Sequence, residues 1–316
     1  MNGAELILPR DRDTAAVALI AAYTAGRNAR TLTAYRKDLE QFRLFVGADT
    51  AEAAAQRLLE CRQGEANALT LAYRAHLLER GLSPATINRR LASLRSLAKL
   101  ARLLGLVPWE IEVSSLPTEA YRDTRGPGVA GFRRLLAVLD AEEDCPRLRR
   151  DRLILRLLFD LGLRRGEAVS LDLADVDVDR HTLAVVGKGR LEKTLLSLPV
   201  RTLTVLLVWL ESRGDQPGPL LTSFDRAGKG DGRLTAHSLY KIVRGIGARA
   251  GLPVRPHGLR HTAITEAVKA AQANGMGLEE VLDFSRHRDV RVMMIYRDRE
   301  RNVQERLASL VADTAK

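Results

Sequence analysis

The segment LGLRRGEAVSLDLADVDVDRHTLAVVGKGRLEKTLLSL, residues 161–198, decides the fold class, because here the hydrophobic period changes from helical to two. Leu171–Val178, Thr182–Val186 and Thr194–Leu198 alternate apolar with polar residues and read as short strands. Asp-Arg-His (179–181) and Gly-Lys-Gly (187–189) separate them as turns. On both sides of this region the pattern is helical. Phe132–Asp140 and Asp151–Leu161 precede it, and helical periodicity resumes from Arg201, broken by the Gly-rich loop Asp225–Arg233. The expected architecture is mainly α with a small antiparallel β-sheet.

Working outward toward the N-terminus, the first hundred residues read as helices. Thr31–Phe45 places apolar residues at 32, 35, 39, 42 and 45, and Ala66–Leu78 is similarly amphipathic, stopping at Gly81. Ser83-Pro84 opens a further helix, with proline just inside its start, that runs to Leu104 and ends at Gly105. The periodicity then fails between Val107 and Val129. PWEIEVSSLPTEAYRDTRGPG, with three prolines and two glycines, reads as connecting chain. These features divide the sequence into a helical domain, residues 1–116, a linker, 117–128, and a larger second domain, 129–316.

Composition narrows the class. The 316 residues suffice for two domains with separate cores. At 46% apolar content and a mean hydropathy of −0.14 the chain is of ordinary globular type. Its longest apolar runs, such as Leu203–Leu210, fall far short of the roughly 20 residues of a membrane span. The start MNGAELILPRDRD lacks the basic region and apolar run of a secretory leader. Two cysteines, Cys61 and Cys145, build neither a disulfide framework nor a four-ligand zinc site, so a reducing cytoplasm is expected.

Fifty Lys+Arg against 39 Asp+Glu give a net charge of +11, as in nucleic-acid binders. An Arg- and Ala-rich composition alone gives the same balance, so charge by itself does not decide. Its distribution says more. Between Ser83 and Pro108 stand Arg89, Arg90, Arg95, Lys99 and Arg102 with no acid, and Arg95, Lys99 and Arg102 share one face at i, i+4 and i+7. Ile87, Leu91, Leu94, Ala98 and Ala101 occupy the opposite face. Like charges on one helix repel, so DNA phosphate contact is expected there.

Three segments of the second domain carry chemistry: Leu161-Gly-Leu-Arg-Arg-Gly-Glu167, His257-Gly-Leu-Arg-His261, and His287 followed nine residues later by Tyr296. Taken singly, Arg164 reads as a helix-end charge, His257 as a cap and Tyr296 as one more aromatic. Together, with Gly-Lys188-Gly between the first two, their order resembles the tyrosine recombinase (phage integrase) family. That family's pattern is an Arg in a T-G-L-R-x-S-E-like box, a hairpin Lys, H-x-L-R-H, and G-H nine residues before the nucleophilic Tyr. Leu161 and Gly166 stand where the first box usually has Thr and Ser, and Arg286 replaces the Gly before the last His. Lys269–Gly277 is slightly longer than usual.

The resemblance implies a two-domain, C-shaped DNA clamp, a helical core-binding domain joined to a catalytic domain. It implies a site-specific recombinase that cleaves and rejoins strands through a 3′-phosphotyrosyl link and a Holliday junction, without metal, ATP or cofactor. Tyr296 would be the nucleophile, Arg164 and Arg260 the phosphate clamp, and His257 the acid–base partner. Lys188 would protonate the leaving 5′ oxygen, His287 would donate to the phosphate, and Glu167 would hold its neighbours. Arginine's permanent, planar charge suits two phosphate oxygens. A phenol with ordinary pKa near 10 needs help losing its proton. The chain lacks a Walker loop and any acidic cluster suited to two metals.

Two other readings use the same residues: a type IB topoisomerase-like relaxing enzyme, and a catalytically silent DNA-binding relative. The separate helical domain, the retained Tyr and Arg, and the tail beyond Tyr296 favour the recombinase. Val303, Leu307, Leu310 and Val311 form an apolar stripe there. The resemblance implies that this tail packs onto a neighbouring protomer in a homotetramer on two DNA duplexes, alone or with a related recombinase or accessory factors. With the first helix read from Thr31, no separate arm-binding domain is expected ahead of it. The layout resembles compact Xer-like, transposon-type or integron-type enzymes of prokaryotic or mobile-element origin.

Overall fold

The computed structural model describes residues 12–24, 29–117, 126–187, 192–224, 232–287, 308 and 311–314. The chain divides into two compact units, Met1–Arg122 and Asp123–Lys316. Among the described residues the architecture is mainly α with one three-stranded antiparallel sheet. No described helix is long and apolar enough to cross a membrane.

Unit one consists of α1 (Arg12–Thr24), α2 (Ala29–Val46), α3 (Ala51–Glu60), α4 (Gln63–Glu79) and α5 (Pro84–Leu103). The expected apolar face of α5 is buried as read, with Ile87, Leu91, Leu94, Ala98 and Ala101 inside. They pack with Leu39, Phe42, Leu58, Tyr73 and Leu77 into one core. Gly105 ends α5 with φ 72°, a left-handed conformation that glycine adopts without cost, and Leu106 N–H returns to Ala101 O at 2.9 Å. Two helices escape the periodicity reading. α1 precedes Thr31, and α3 is short and alanine-rich, its start fixed by Thr50 Oγ1 accepting from Ala53 N at 3.0 Å.

The stretch read as connecting chain behaves differently from the expectation at its beginning. Val107, Trp109, Ile111 and Val113 are buried while Pro108, Glu110 and Glu112 are exposed, a period-two strap laid on the unit-one core. No strand among the described residues pairs with it. Side chains of α4 and α5 satisfy its backbone instead. Asn88 both donates to Leu116 O (2.8 Å) and accepts from Leu116 N (2.7 Å). Asn67 accepts from Glu112 N at 2.9 Å, and Arg95 donates to Val113 O at 2.9 Å.

Unit two begins with α6 (Gly128–Asp140), α7 (Pro146–Phe159) and α8 (Arg165–Ser170). Strands β1 (Val176–Asp177), β2 (Thr182–Val186) and β3 (Lys193–Ser197) follow, then α9 (Val200–Arg213), α10 (Ala236–Arg249), α11 (Pro256–Ala273) and α12 (Leu278–Ser285). The strands run β1-β2-β3, with Thr182 opposite Ser197 and Val186 opposite Lys193. The expected first strand shrinks to two residues. Asp175 accepts from Asp172 N at 2.9 Å and winds Leu173–Asp175 into a single 3₁₀ turn, because short carboxylates compete for nearby backbone donors. A core of α7, α9 and α10 with the sheet includes Leu157, Leu183, Leu206, Val243 and Trp209, whose indole donates to Leu220 O at 2.9 Å.

Candidate active site

The first segment of chemistry begins where α7 stops. Gly162 sits at φ 54°, and Leu163 N–H reaches back to Leu157 O at 3.1 Å. Buried Leu161 and Leu163 anchor the turn and deliver Arg164 to the start of α8. Glu167, only 4% exposed, reaches back to accept from Arg164 N at 2.8 Å and from the Arg164 guanidinium at 2.6 Å. Burial pushes the Glu167 carboxyl up, but hydrogen bonds from Arg164 and the charges of Arg286 and Arg164 outweigh it and hold the pKa below its ordinary value.

The second segment opens α11. Pro256 starts the helix, His257 follows exposed in the first turn, and Arg260 lies inside at 1% exposure. His257 and Arg260 are three apart and so share a face. The Arg260 guanidinium donates to Gly162 O and to Ser285 O, and stands 3.4 Å from His287 Nε2. The neighbouring His261 is buried, its Nδ1 3.5 Å from Thr265 Oγ1.

The third segment arrives at the end of α12. Arg286 adopts φ 54° as its C-cap, which explains why a glycine would suit this position, and His287 follows. The Arg286 side chain turns inward onto Leu161 O, Gly162 O, Phe284 O and Glu167. Partial desolvation lowers the pKa of His257, helped by the positive charges of Arg260 and Arg164. Burial first, then Arg260, Arg164, Arg286 and His257, pushes His287 down to about 4.

Arg164, Glu167, Arg260, Arg286 and His287 thus meet through direct contacts, although 122 residues separate Arg164 from Arg286. Two guanidinium groups, of Arg164 and Arg286, hold the one carboxylate and a third, of Arg260, stands beside His287, so the locus carries an excess of positive charge suited to an anion. A cavity of about 500 Å³ opens beside it, lined by Leu161, Thr194, Leu196, Phe284, Arg286 and His287. β3 therefore borders the site and pairs with β2. Lys188 and Tyr296 themselves lie outside the described residues.

Arg286 is the site residue that the motif reading treated only as a departure. The clue to its role is that an arginine directly follows the end of an amphipathic helix, where the backbone must turn. The basic face of α5 also looks different in three dimensions. Arg89 pairs with buried Asp38, Arg102 pairs with Glu110, and Arg95 holds Val113 O and Ser115 Oγ at 2.9 and 3.0 Å. Arg90 is half-buried near Tyr73, and Lys99 is exposed. The acids missing from α5 come from α2 and the strap.

The model of the phage integrase family matches residues 132–302. The chain is 34% identical over 293 residues to the tyrosine recombinase slr0733 of Synechocystis sp., covering 91% of this chain and 92% of that one. It is 30% identical over 275 residues to the tyrosine recombinase XerC of Corynebacterium efficiens, covering 86% and 81%. Among solved structures its fold is similar to the XerH site-specific recombinase bound to a palindromic difH substrate in a post-cleavage complex. That match has a TM-score of 0.67 at 19% identity and covers 94% of this chain and 85% of that one. With the family model matched over more than half of the chain and relatives of 30% identity or more covered nearly end to end, the chain belongs to the phage integrase family as a tyrosine site-specific recombinase.

Proposed function

We propose that the pocket cleaves and reseals duplex DNA through a 3′-phosphotyrosyl intermediate, and that two such exchanges pass through a Holliday junction. The observation that carries this reading is the convergence of Arg164, Arg260 and His287, from three distant segments, on one locus. Arg164 and Arg260 grip the non-bridging oxygens and stabilise the pentacovalent transition state. The Tyr296 oxygen attacks phosphorus and the bond to the 5′ oxygen breaks. His257 takes the phenolic proton, and Lys188 supplies one to the leaving oxygen. His287 donates to the phosphate, and Glu167 holds Arg164 in place. The phosphotyrosyl bond keeps the phosphodiester energy, so the attack of another 5′ hydroxyl reseals the strand without ATP, metal or cofactor.

The partners in this reading are double-stranded target sites held by a homotetramer on two duplexes, in the cytoplasm. The two units close on DNA as a clamp, with exposed Lys99 on α5 among the phosphate contacts. The test is a nicked suicide duplex. Wild-type protein is expected to form an SDS-resistant covalent adduct, and Tyr296→Phe to bind the duplex equally well yet form none. Covalent trapping by Tyr296→Phe would remove Tyr296 as the nucleophile.

A further inference from the structure

Arg286 combines two features that rarely coincide. Its backbone is left-handed, φ 54°, a conformation that among the described non-glycine residues only His181 shares. Its side chain, which at a helix end would ordinarily reach for water, is 5% exposed. The guanidinium donates to Gly162 O (2.9 Å), Phe284 O (3.1 Å), Leu161 O (3.2 Å) and Glu167 Oε2 (3.2 Å). Its own carbonyl accepts from the Arg164 guanidinium at 3.3 Å. One residue therefore touches Arg164 directly through its backbone and indirectly through the Glu167 carboxylate.

The carboxylate geometry makes this consequential. Arg164 occupies Oε1 of Glu167 and Arg286 occupies Oε2, so neither oxygen is left to swing. A carboxylate held by two planar forks has a fixed plane, and that plane sets the orientation of the forks it holds. The carbonyls of Leu161 and Gly162 tie the same guanidinium to the turn that delivers Arg164, and the next residue along the chain is His287.

We infer that Arg286 is a positioning residue, fastening the end of α12 to the Leu161–Glu167 turn and thereby fixing how Arg164 and His287 are presented to a phosphate. The inference rests on the catalytic reading of those two residues given above. An ordinary buried ion pair would stabilise the unit without this effect, and the two roles separate experimentally.

Full-length wild-type, Arg286→Gly and Arg286→Lys proteins are compared on the nicked suicide duplex. Glycine tolerates the left-handed backbone, so α12 still ends where it does, while the guanidinium is lost. Lysine keeps the charge but has no planar fork to bridge carbonyls and carboxylate. Arg286→Gly is expected to bind the duplex within about threefold of wild type and to cleave it about ten- to a hundredfold more slowly in single turnover, the scale of a small misplacement of reacting groups. Arg286→Lys falls between them. In ¹⁵N-arginine NMR, the Arg164 Nε–H signal, assigned by its loss in Arg164→Lys, becomes more mobile in Arg286→Gly and recovers partly in Arg286→Lys. Wild-type cleavage and an unchanged Arg164 signal in Arg286→Gly would overturn the inference. So would equal losses of cleavage, affinity and melting temperature, which mark a purely structural pair. If wild-type protein forms no adduct, the catalytic reading fails by itself, and the Arg164 signal still decides whether Arg286 positions that side chain.

Discussion

Burial first, and then the positive charges of Arg260 and Arg164, lower the pKa of both His257 and His287. A bound phosphate cancels the surrounding positive charge, so each ring gains protons more readily in the complex than in the free protein. The sign follows from linkage: a state that binds more protons is favoured as pH falls. DNA affinity at fixed salt is therefore expected to rise between about pH 7.5 and 6, accompanied by proton uptake measurable from binding heats in two buffers. The double variant His257→Asn/His287→Asn should lose most of that uptake, and proton release on binding by the wild type would contradict the pocket's assignment to phosphate. This behaviour was legible only in part. Spacing and residue order brought out Arg164, His257, Arg260 and His287, because those boxes carry their chemistry in one dimension. The inward turn of Arg286 is not legible, because it depends on a left-handed backbone and on the buried carbonyls of Leu161 and Gly162, 125 and 124 residues away.

Among the elements, α5 and the strap correct each other's reading. By sequence the acid-free helix calls for an external anion, yet Asp38, Glu110 and the Val113 carbonyl meet three of its arginines. A triple Arg95→Ala/Lys99→Ala/Arg102→Ala variant should then flatten the salt dependence of DNA binding by about one unit, from Lys99, and not by the three expected from three phosphate contacts. It should also lower the stability of unit one by about 1–2 kcal/mol in urea titration, mainly through the lost Arg95 hydrogen bonds. The exposed Arg102–Glu110 pair adds little. A slope change near three would return all three residues to the DNA. Helical periodicity located α2, α4 and α5 well because their apolar faces are wide. The strap is hidden in the sequence because its prolines mask the alternation of Val107, Trp109, Ile111 and Val113, and because its backbone partners, Asn67, Asn88 and Arg95, are side chains.

At the scale of the whole molecule, each unit has its own core among the described residues. The apolar stripe read in that tail falls outside the described residues except for Val311, which is 68% exposed. Deleting residues 302–316 is expected to leave single-site binding within about threefold while abolishing two-duplex synaptic complexes, scored by native gels with differently sized duplexes. Normal synapsis by the truncated chain would place the stripe in its own unit. The two free thiols have a use of another kind. Cys61 lies in unit one, half-buried, with its Sγ donating to Arg57 O at 3.2 Å and its pKa raised by burial, while Cys145 in unit two is exposed. Their unequal reactivity lets a donor dye take Cys145 first and an acceptor take Cys61 afterwards. The natural sequence thus already contains a two-colour ruler, one mark on each half, with which the separation of the two units can be followed on single molecules, with and without DNA, in real time.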